Sequence, residues 1–141
     1  MAKARVLVID DDQIVLDSIS QILTDDNYDV DVTLRGGEGR DRAIRKDYDI
    51  VLIDIRMPDI GGIKVLGDIK QKRPALPVVM ITGYATAPSA EMAMNLGAAD
   101  FIEKPFEPEE LLETVASALQ TARTSSEGAG RNSQGKDDQG S

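Results

Sequence analysis

The chain has 141 residues, with 25 Asp and Glu against 16 Lys and Arg, a formal net charge of −9, and neither Cys nor His. This length is typical of one domain, and the 41% of apolar residues is enough for a core. The missing Cys and His exclude disulfides, zinc fingers, thiol catalysis and a phosphohistidine on this chain, and the acidity argues against direct nucleic-acid binding.

Short continuous apolar runs alternate with helical repeats along residues 1–123. In chain order we predict a strand at 6–9, a helix through 15–23, a strand at 29–33, a helix near 40–45, a strand at 50–53, a helix through 63–69, a strand at 78–81, a short helix through 92–96, a strand at 100–102 and a helix through 111–119. The helix near 40–45 has the weakest pattern. Pro108 and Pro88 suit first helical positions. Five βα units of this kind predict an α/β fold, an open parallel sheet with helices on both faces.

The composition changes after Arg123. Residues 124–141 contain four Gly and four Ser and no Val, Ile, Leu, Met or aromatic residue, so they cannot bury enough apolar surface to offset their ordering entropy. We therefore predict a folded domain over 1–123 and a flexible tail or truncated linker over 124–141. No apolar run approaches the roughly 20 residues of a membrane span, and the run at 6–9 is too short for a signal peptide, which predicts a cytoplasmic protein.

Polar side chains stand where four of the predicted strands end. They are Asp10, Asp11 and Asp12 after the first strand, Asp54 after the third, Thr82 after the fourth and Lys104 after the fifth. The carboxyl ends of parallel strands meet at one edge of the sheet, which is where such folds bind ligands. Asp12 is explained as a helix N-cap. The other carboxylates and the lysine outline a Mg²⁺-dependent phosphoryl-transfer site, with Asp54 as the best nucleophile.

Four motifs carry a family resemblance. They are Val8-Ile9-Asp10-Asp11-Asp12, Val51-Leu52-Ile53-Asp54-Ile55-Arg56-Met57-Pro58, Ile81-Thr82-Gly83 and Gly97-Ala98-Ala99-Asp100-Phe101-Ile102-Glu103-Lys104-Pro105-Phe106. In this order and spacing they resemble the receiver domain of bacterial two-component response regulators, over residues 4–121. The resemblance implies a doubly wound, flavodoxin-like sheet of five strands in the order 2-1-3-4-5, with five helices in three α/β/α layers.

The resemblance also implies a role for each site residue. Asp54 would accept a phosphoryl group, and Mg²⁺ would be held by Asp10, Asp11, Asp54 and the backbone carbonyl of Arg56. It further implies that Lys104 pairs with the phosphate and precedes a cis peptide bond to Pro105.

Two residues resemble the family's switch pair. Thr82 would turn its hydroxyl toward the phosphoryl group, and Phe101 would change rotamer with it. Phe101 replaces the tyrosine often found there, so the switch must work by packing. We also hypothesise that Arg56 and Tyr84, two residues after Asp54 and Thr82, screen the phosphorylated aspartate from water and lengthen its lifetime.

The partners implied by the resemblance are a sensor histidine kinase or a histidine phosphotransfer protein. A downstream target would bind the surface of the fourth helix, fifth strand and fifth helix, near Met94, Glu103 and Glu107. We expect a monomer or a weak phosphorylation-dependent dimer, with no membrane or nucleic-acid contact. Apart from self-phosphorylation and self-dephosphorylation of Asp54, no enzymatic activity is expected.

Three alternatives fit the residues less well. A haloacid-dehalogenase-type phosphatase needs an acid two residues after its nucleophile. Arg56 stands two residues after Asp54, so only Asp10, with Asp12 two residues after it, could serve. The Thr then expected at residue 14 is Ile14. A flavodoxin-like flavin protein needs a Ser, Thr and Gly phosphate loop in place of three aspartates. A phosphorylation-independent binding module would not require the complete set of acids, threonine and lysine.

Overall fold

The computed structural model describes residues 2–83 and 87–132, which alternate between strands and helices. The elements are β1 (Arg5–Ile9), α1 (Gln13–Asp25), β2 (Asp29–Thr33), α2 (Gly36–Arg45), β3 (Ile50–Asp54), α3 (Gly62–Lys72), β4 (Val78–Thr82), α4 (Ala87–Asn95), β5 (Asp100–Glu103) and α5 (Pro108–Asn132). The five predicted strands are confirmed. Pro108 is the first residue of α5, as predicted, whereas Pro88 is the second residue of α4.

The strands form one parallel sheet in the order β2-β1-β3-β4-β5, which confirms the predicted fold. In the register, Ile9 lies beside Ile53, and Asp54 lies beside Ile81. The ends of β1, β3 and β4 therefore lie level with one another at one edge of the sheet.

Both faces of the sheet are buried along the central strands, which are apolar except at Arg5, where β1 begins, and at Asp54 and Thr82, where β3 and β4 end. Val6 and Val8 of β1 belong to the core under α1 and α5, whereas Leu7 and Ile9 belong to the core under α2, α3 and α4. A continuous apolar run contributes side chains to both cores, since successive side chains of a strand point to opposite faces. Among the described residues, none of the helices combines the length and the apolar character needed to cross a bilayer.

The weakly patterned second helix is real, and it packs through small residues. Its buried positions are Gly36, Gly39 and Ala43. A Cβ atom on Gly39 would overlap the side chain of Ile9, so the helix lies closer to β1 than a larger residue would allow. The prediction was weak because a stripe of small residues gives almost no apolar periodicity.

α5 is longer than the sequence indicates. It ends at Asn132 and so includes residues 124–132, where we predicted a flexible tail. Extending an existing helix adds one backbone hydrogen bond per residue and needs no new nucleus, so a segment without apolar residues can continue it. The division of the chain at Arg123 stays a prediction, and residues 133–141 lie outside the described part.

Candidate functional site

Three carboxylates meet at the edge of the sheet where β1 and β3 end. Asp10 and Asp11 directly follow β1, and Asp54 is the last residue of β3. One carboxylate oxygen of each lies within 4.8 Å of the others. Asp10 is 0% exposed and Asp54 is 5% exposed, while Asp11 faces solvent. The structure therefore brings together the acids that the strand-end argument expected.

Asp12 stands apart from this cluster. Its side chain accepts a hydrogen bond from the Ile14 amide at 2.9 Å and caps the N-terminus of α1, which confirms the predicted capping role. The Asp12 amide in turn donates to the Asp10 carboxylate at 3.0 Å. The turn after β1 thus holds Asp10 through the backbone.

Lys104 reaches the two buried acids from the end of β5. Its Nζ lies 2.9 Å from Oδ2 of Asp10 and 3.6 Å from Oδ1 of Asp54. Its backbone amide donates to the carbonyl of Thr82 at 2.7 Å, which extends the β4–β5 pairing by one bond. The peptide bond from Lys104 to Pro105 is cis, as the resemblance implied. This one ammonium group pairs with two of the three carboxylates, so the cluster of Asp10, Asp11 and Asp54 has more carboxylates than Lys104 can neutralise.

This charge and the burial change the acidity of Asp54. Burial is the largest cause, and together with the nearby Asp10 carboxylate it raises the pKa of Asp54 from 3.8 to about 6. The Lys104 ammonium and the Arg56 backbone amide, which hydrogen-bonds to the carboxylate, limit that rise. Carboxylates that repel one another and offer only oxygen ligands fit a hard divalent cation such as Mg²⁺.

The other predicted residues lie around the cluster. Thr82 ends β4 and is fully buried. Phe101 is half-buried in β5, pairs with Met80 and packs against the core under α2, α3 and α4. Arg56 has an exposed side chain. Tyr84 lies outside the described residues.

A further acid, Asp59, was missed by the sequence analysis. Its Oδ1 and Oδ2 accept hydrogen bonds from the amides of Gly36 and Gly37, each at 3.1 Å. These bonds hold the pKa of Asp59 below its ordinary value. The structure starts α2 at Gly36-Gly37 with no capping side-chain bond from Arg35, whereas the sequence predicted only a helix near 40–45, so no local pattern pointed to Asp59 as the capping residue.

Comparison with known proteins connects this site with one family. The family model described as "Response regulator receiver domain" matches residues 6–116. The chain is 40% identical over 123 residues to the C4-dicarboxylate transport transcriptional regulatory protein DctD of Pseudomonas aeruginosa, covering 86% of this chain and 26% of that protein. It is 31% identical over 130 residues to an uncharacterized transcriptional regulatory protein, YkoG of Bacillus subtilis, covering 92% of this chain and 57% of that protein.

Solved structures show the same likeness. A response regulator receiver domain protein (CheY-like) from Methanospirillum hungatei superimposes with a TM-score of 0.83 at 34% identity. The match covers 86% of this chain and 97% of that one. The curated relatives are longer than this chain, which spans about half the length of several of them.

Proposed function

Since the chain belongs to the response regulator receiver domain family, we propose that it is a phosphoacceptor domain whose acceptor is Asp54. The phosphoryl group would come from a phosphohistidine on a sensor histidine kinase or histidine phosphotransfer protein, or from a small phosphodonor. The observation that carries this proposal is the buried pair of Asp10 and Asp54 with Lys104 between them at 2.9 and 3.6 Å.

The transfer forms one bond and breaks one. A carboxylate oxygen of Asp54 attacks the phosphorus, the N–P bond of the phosphohistidine breaks, and its electron pair returns to the imidazole nitrogen, which takes up a proton. Asp10, Asp11, Asp54 and the Arg56 carbonyl would hold Mg²⁺, which supplies positive charge to the transferred oxygens. Lys104 adds a second positive charge there. Later attack of water on the phosphorus would return the Asp54 carboxylate and inorganic phosphate.

The electrostatics of Asp54 suit this role. With a pKa of about 6, the carboxylate is mostly ionised at neutral pH, and a bound cation would lower its pKa further. Burial removes competing water from the nucleophile. The Lys104 ammonium lies 3.6 Å from Oδ1 of Asp54. It would therefore need only a small movement to pair with a phosphoryl group on Asp54.

The proposed output is a change of the α4-β5-α5 surface. Thr82 ends β4 next to β5, and Phe101 lies in β5, so a movement of Thr82 toward the phosphoryl group reaches that surface through the neighbouring strand. α4 exposes Met92 and Met94, which are 54% and 47% exposed. These side chains are suited to contact a downstream target protein. A cytoplasmic location and a monomer or weak phosphorylation-dependent dimer stay predictions.

Incubation with Mg²⁺ and acetyl phosphate tests the acceptor. Intact mass should show one phosphoryl adduct on the wild type, none on Asp54→Ala, and an undiminished adduct on Asp12→Ala. Asp12 is the matched control because it is a neighbouring acid outside the cluster. Hydroxylamine should remove the adduct, as expected of an acyl phosphate. An adduct that survives in Asp54→Ala, or no adduct on the wild type, would refute the proposal and return attention to phosphorylation-independent binding.

The proposed screening by Arg56 and Tyr84 is tested on the phosphorylated protein. The double variant Arg56→Ala, Tyr84→Ala should lose its phosphoryl group faster than the wild type, because water would reach the phosphorus more easily. Dephosphorylation half-lives measure this directly. An unchanged or longer half-life in the variant would contradict the screening role.

A further inference from the structure

The loop between β3 and α3 (residues 55–61) begins directly after Asp54 and carries Arg56. Two backbone hydrogen bonds fix its stem: the Ile55 amide donates to Ile81 at 3.0 Å, and the Gly62 amide donates to Ile55 at 2.8 Å. Its middle is held by Asp59, whose two carboxylate oxygens accept from Gly36 and Gly37. The loop is therefore tied to β4 at one end and to α2 at its middle.

The hydrogen bonds from α2 to Asp59 provide acceptors for the first amides of the helix and place a negative charge at its positive end. Gly36 and Gly37 are the first two residues of the helix, whose amides have no partner within the helix, and the N-cap residue Arg35 provides no side-chain bond. A carboxylate is favoured at this positive end of the helix dipole. Asp59 therefore caps α2 from a loop more than 20 residues away.

The two segments also touch directly. A Cβ atom on Gly36 would lie 2.5 Å from Cγ2 of Ile60 and 3.1 Å from Cε of Met57. Only glycine permits this approach, since real Cβ atoms essentially never come so close to another atom. The loop thus rests on the helix start through contacts on both sides of Asp59.

α2 is itself firmly seated and can serve as a support. Gly39 packs against the side chain of Ile9, the residue before Asp10, and Arg40 pairs with Asp68 of α3 at 3.2 Å. The same helix therefore contacts Ile9 at the end of β1, directly before Asp10, and the loop that directly follows Asp54. α2 can therefore set the position of the loop after Asp54 relative to the end of β1.

From these contacts we infer that Asp59 is a positioning residue for cation binding, holding the loop so that the Arg56 backbone stays beside Asp54. The inference rests on the proposed function. The Arg56 amide already hydrogen-bonds to the Asp54 carboxylate, so a fixed loop keeps this peptide in place. Without Asp59 the loop would keep its stem bonds and the apolar contacts of Met57 and Ile60 but lose its two hydrogen bonds to α2, and the entropy cost of ordering it would then oppose binding of Mg²⁺.

Calorimetric titration with Mg²⁺ alone tests this on three variants. Asp59→Ala should raise the Kd for Mg²⁺ about 3- to 10-fold, which is at or below the low end of the roughly 10- to 100-fold effect of losing a partner that touches a metal ligand, because Asp59 acts through the loop. Asp59→Asn keeps one acceptor oxygen and should lie between Asp59→Ala and the wild type. Asp49→Ala is the matched control, because this exposed carboxylate also accepts a backbone amide, from Arg5 at 2.7 Å, at the other end of the sheet. An unchanged Kd in Asp59→Ala, or an equal rise in Asp49→Ala, would overturn the inference.

Two further readings separate this inference from the proposed function. At saturating Mg²⁺, the phosphorylation rate of Asp59→Ala should return close to that of the wild type, whereas a rate that stays low would contradict a positioning role. If the wild type neither binds Mg²⁺ nor gains a phosphoryl group, the proposed function fails, and hydrogen exchange decides the positioning role. Faster exchange at the Arg56 and Met57 amides in Asp59→Ala would support it, and unchanged exchange would refute it. If Asp59→Ala does not fold, Asp59→Asn carries the same comparisons.

Discussion

Neutralising Asp54 should stabilise the cation-free protein. The folded protein raises the pKa of this carboxyl from 3.8 to about 6, so the folded state binds the proton more tightly than the unfolded state. The stability linked to that proton is complete below pH 3.8 and is lost as the pH rises through about 6. Two pKa units correspond to roughly 3 kcal/mol. Above neutral pH, the ionised Asp54 therefore destabilises the fold by up to about that amount.

Asp54→Asn removes the charge and keeps the shape of the side chain. We expect a gain in the free energy of unfolding of about 2–3 kcal/mol near pH 8 and only about 0.5 kcal/mol near pH 4. Urea denaturation at several pH values, in the presence of a chelator, measures this difference. Mg²⁺ should stabilise the wild type more than the variant, because the cation relieves the same repulsion.

Asp12→Asn is the control for this experiment. This variant neutralises a different aspartate, in the turn between β1 and α1. Asp12 is an exposed N-cap, and Asn can cap a helix as well as Asp. The free energy of unfolding should therefore change little at any pH. A gain in Asp54→Asn that is equal at low and high pH, or no gain near pH 8, would refute the argument that burial and Asp10 govern the acidity of Asp54.

Two more substitutions test the packing around the site, and a third tests a position at the opposite edge of the sheet. Lys104→Ala should lower stability by on the order of 3 kcal/mol without Mg²⁺, because it leaves the fully buried Asp10 without its ammonium partner; denaturation with and without Mg²⁺ should show that the cation recovers part of the loss. Gly62→Ala should cost about 2–3 kcal/mol, because its Cβ would overlap the Asp54 carbonyl, and it should also reduce phosphorylation, as read by intact mass. Gly97→Ala should cost about 1–2 kcal/mol in thermal unfolding, because φ is +102°, with phosphorylation unchanged; a loss of phosphorylation there would contradict the placement of the site.

Features of this chain that depend on neighbouring residues alone could be predicted, and features that depend on distant residues could not. The strand at 6–9 could be predicted because four consecutive apolar residues already indicate burial on two faces, and Asp12 could be identified as a cap from its neighbours alone. α2 was nearly missed, because Gly36, Gly39 and Ala43 form its buried stripe, and small residues show no apolar period. The length of α5 was underestimated, because helix propagation needs no apolar side chains.

The sequence by itself determined the strand-and-helix alternation and the set of residues that stand at the strand ends, since both follow from side-chain periodicity and from the parallel direction of the strands. Only the tertiary structure decided how those residues act on one another. The pKa of Asp54 depends on burial beneath several elements and on Asp10 and Lys104, which are far away along the chain. The bond from Asp59 to Gly36 and Gly37 joins residues 22 and 23 positions apart, and no local pattern marks such a pair. Distances between charges and the exclusion of solvent around them are properties of the packed fold. The kind of chemistry could therefore be inferred from the sequence, but the pKa of Asp54 and the contacts that hold the site could not.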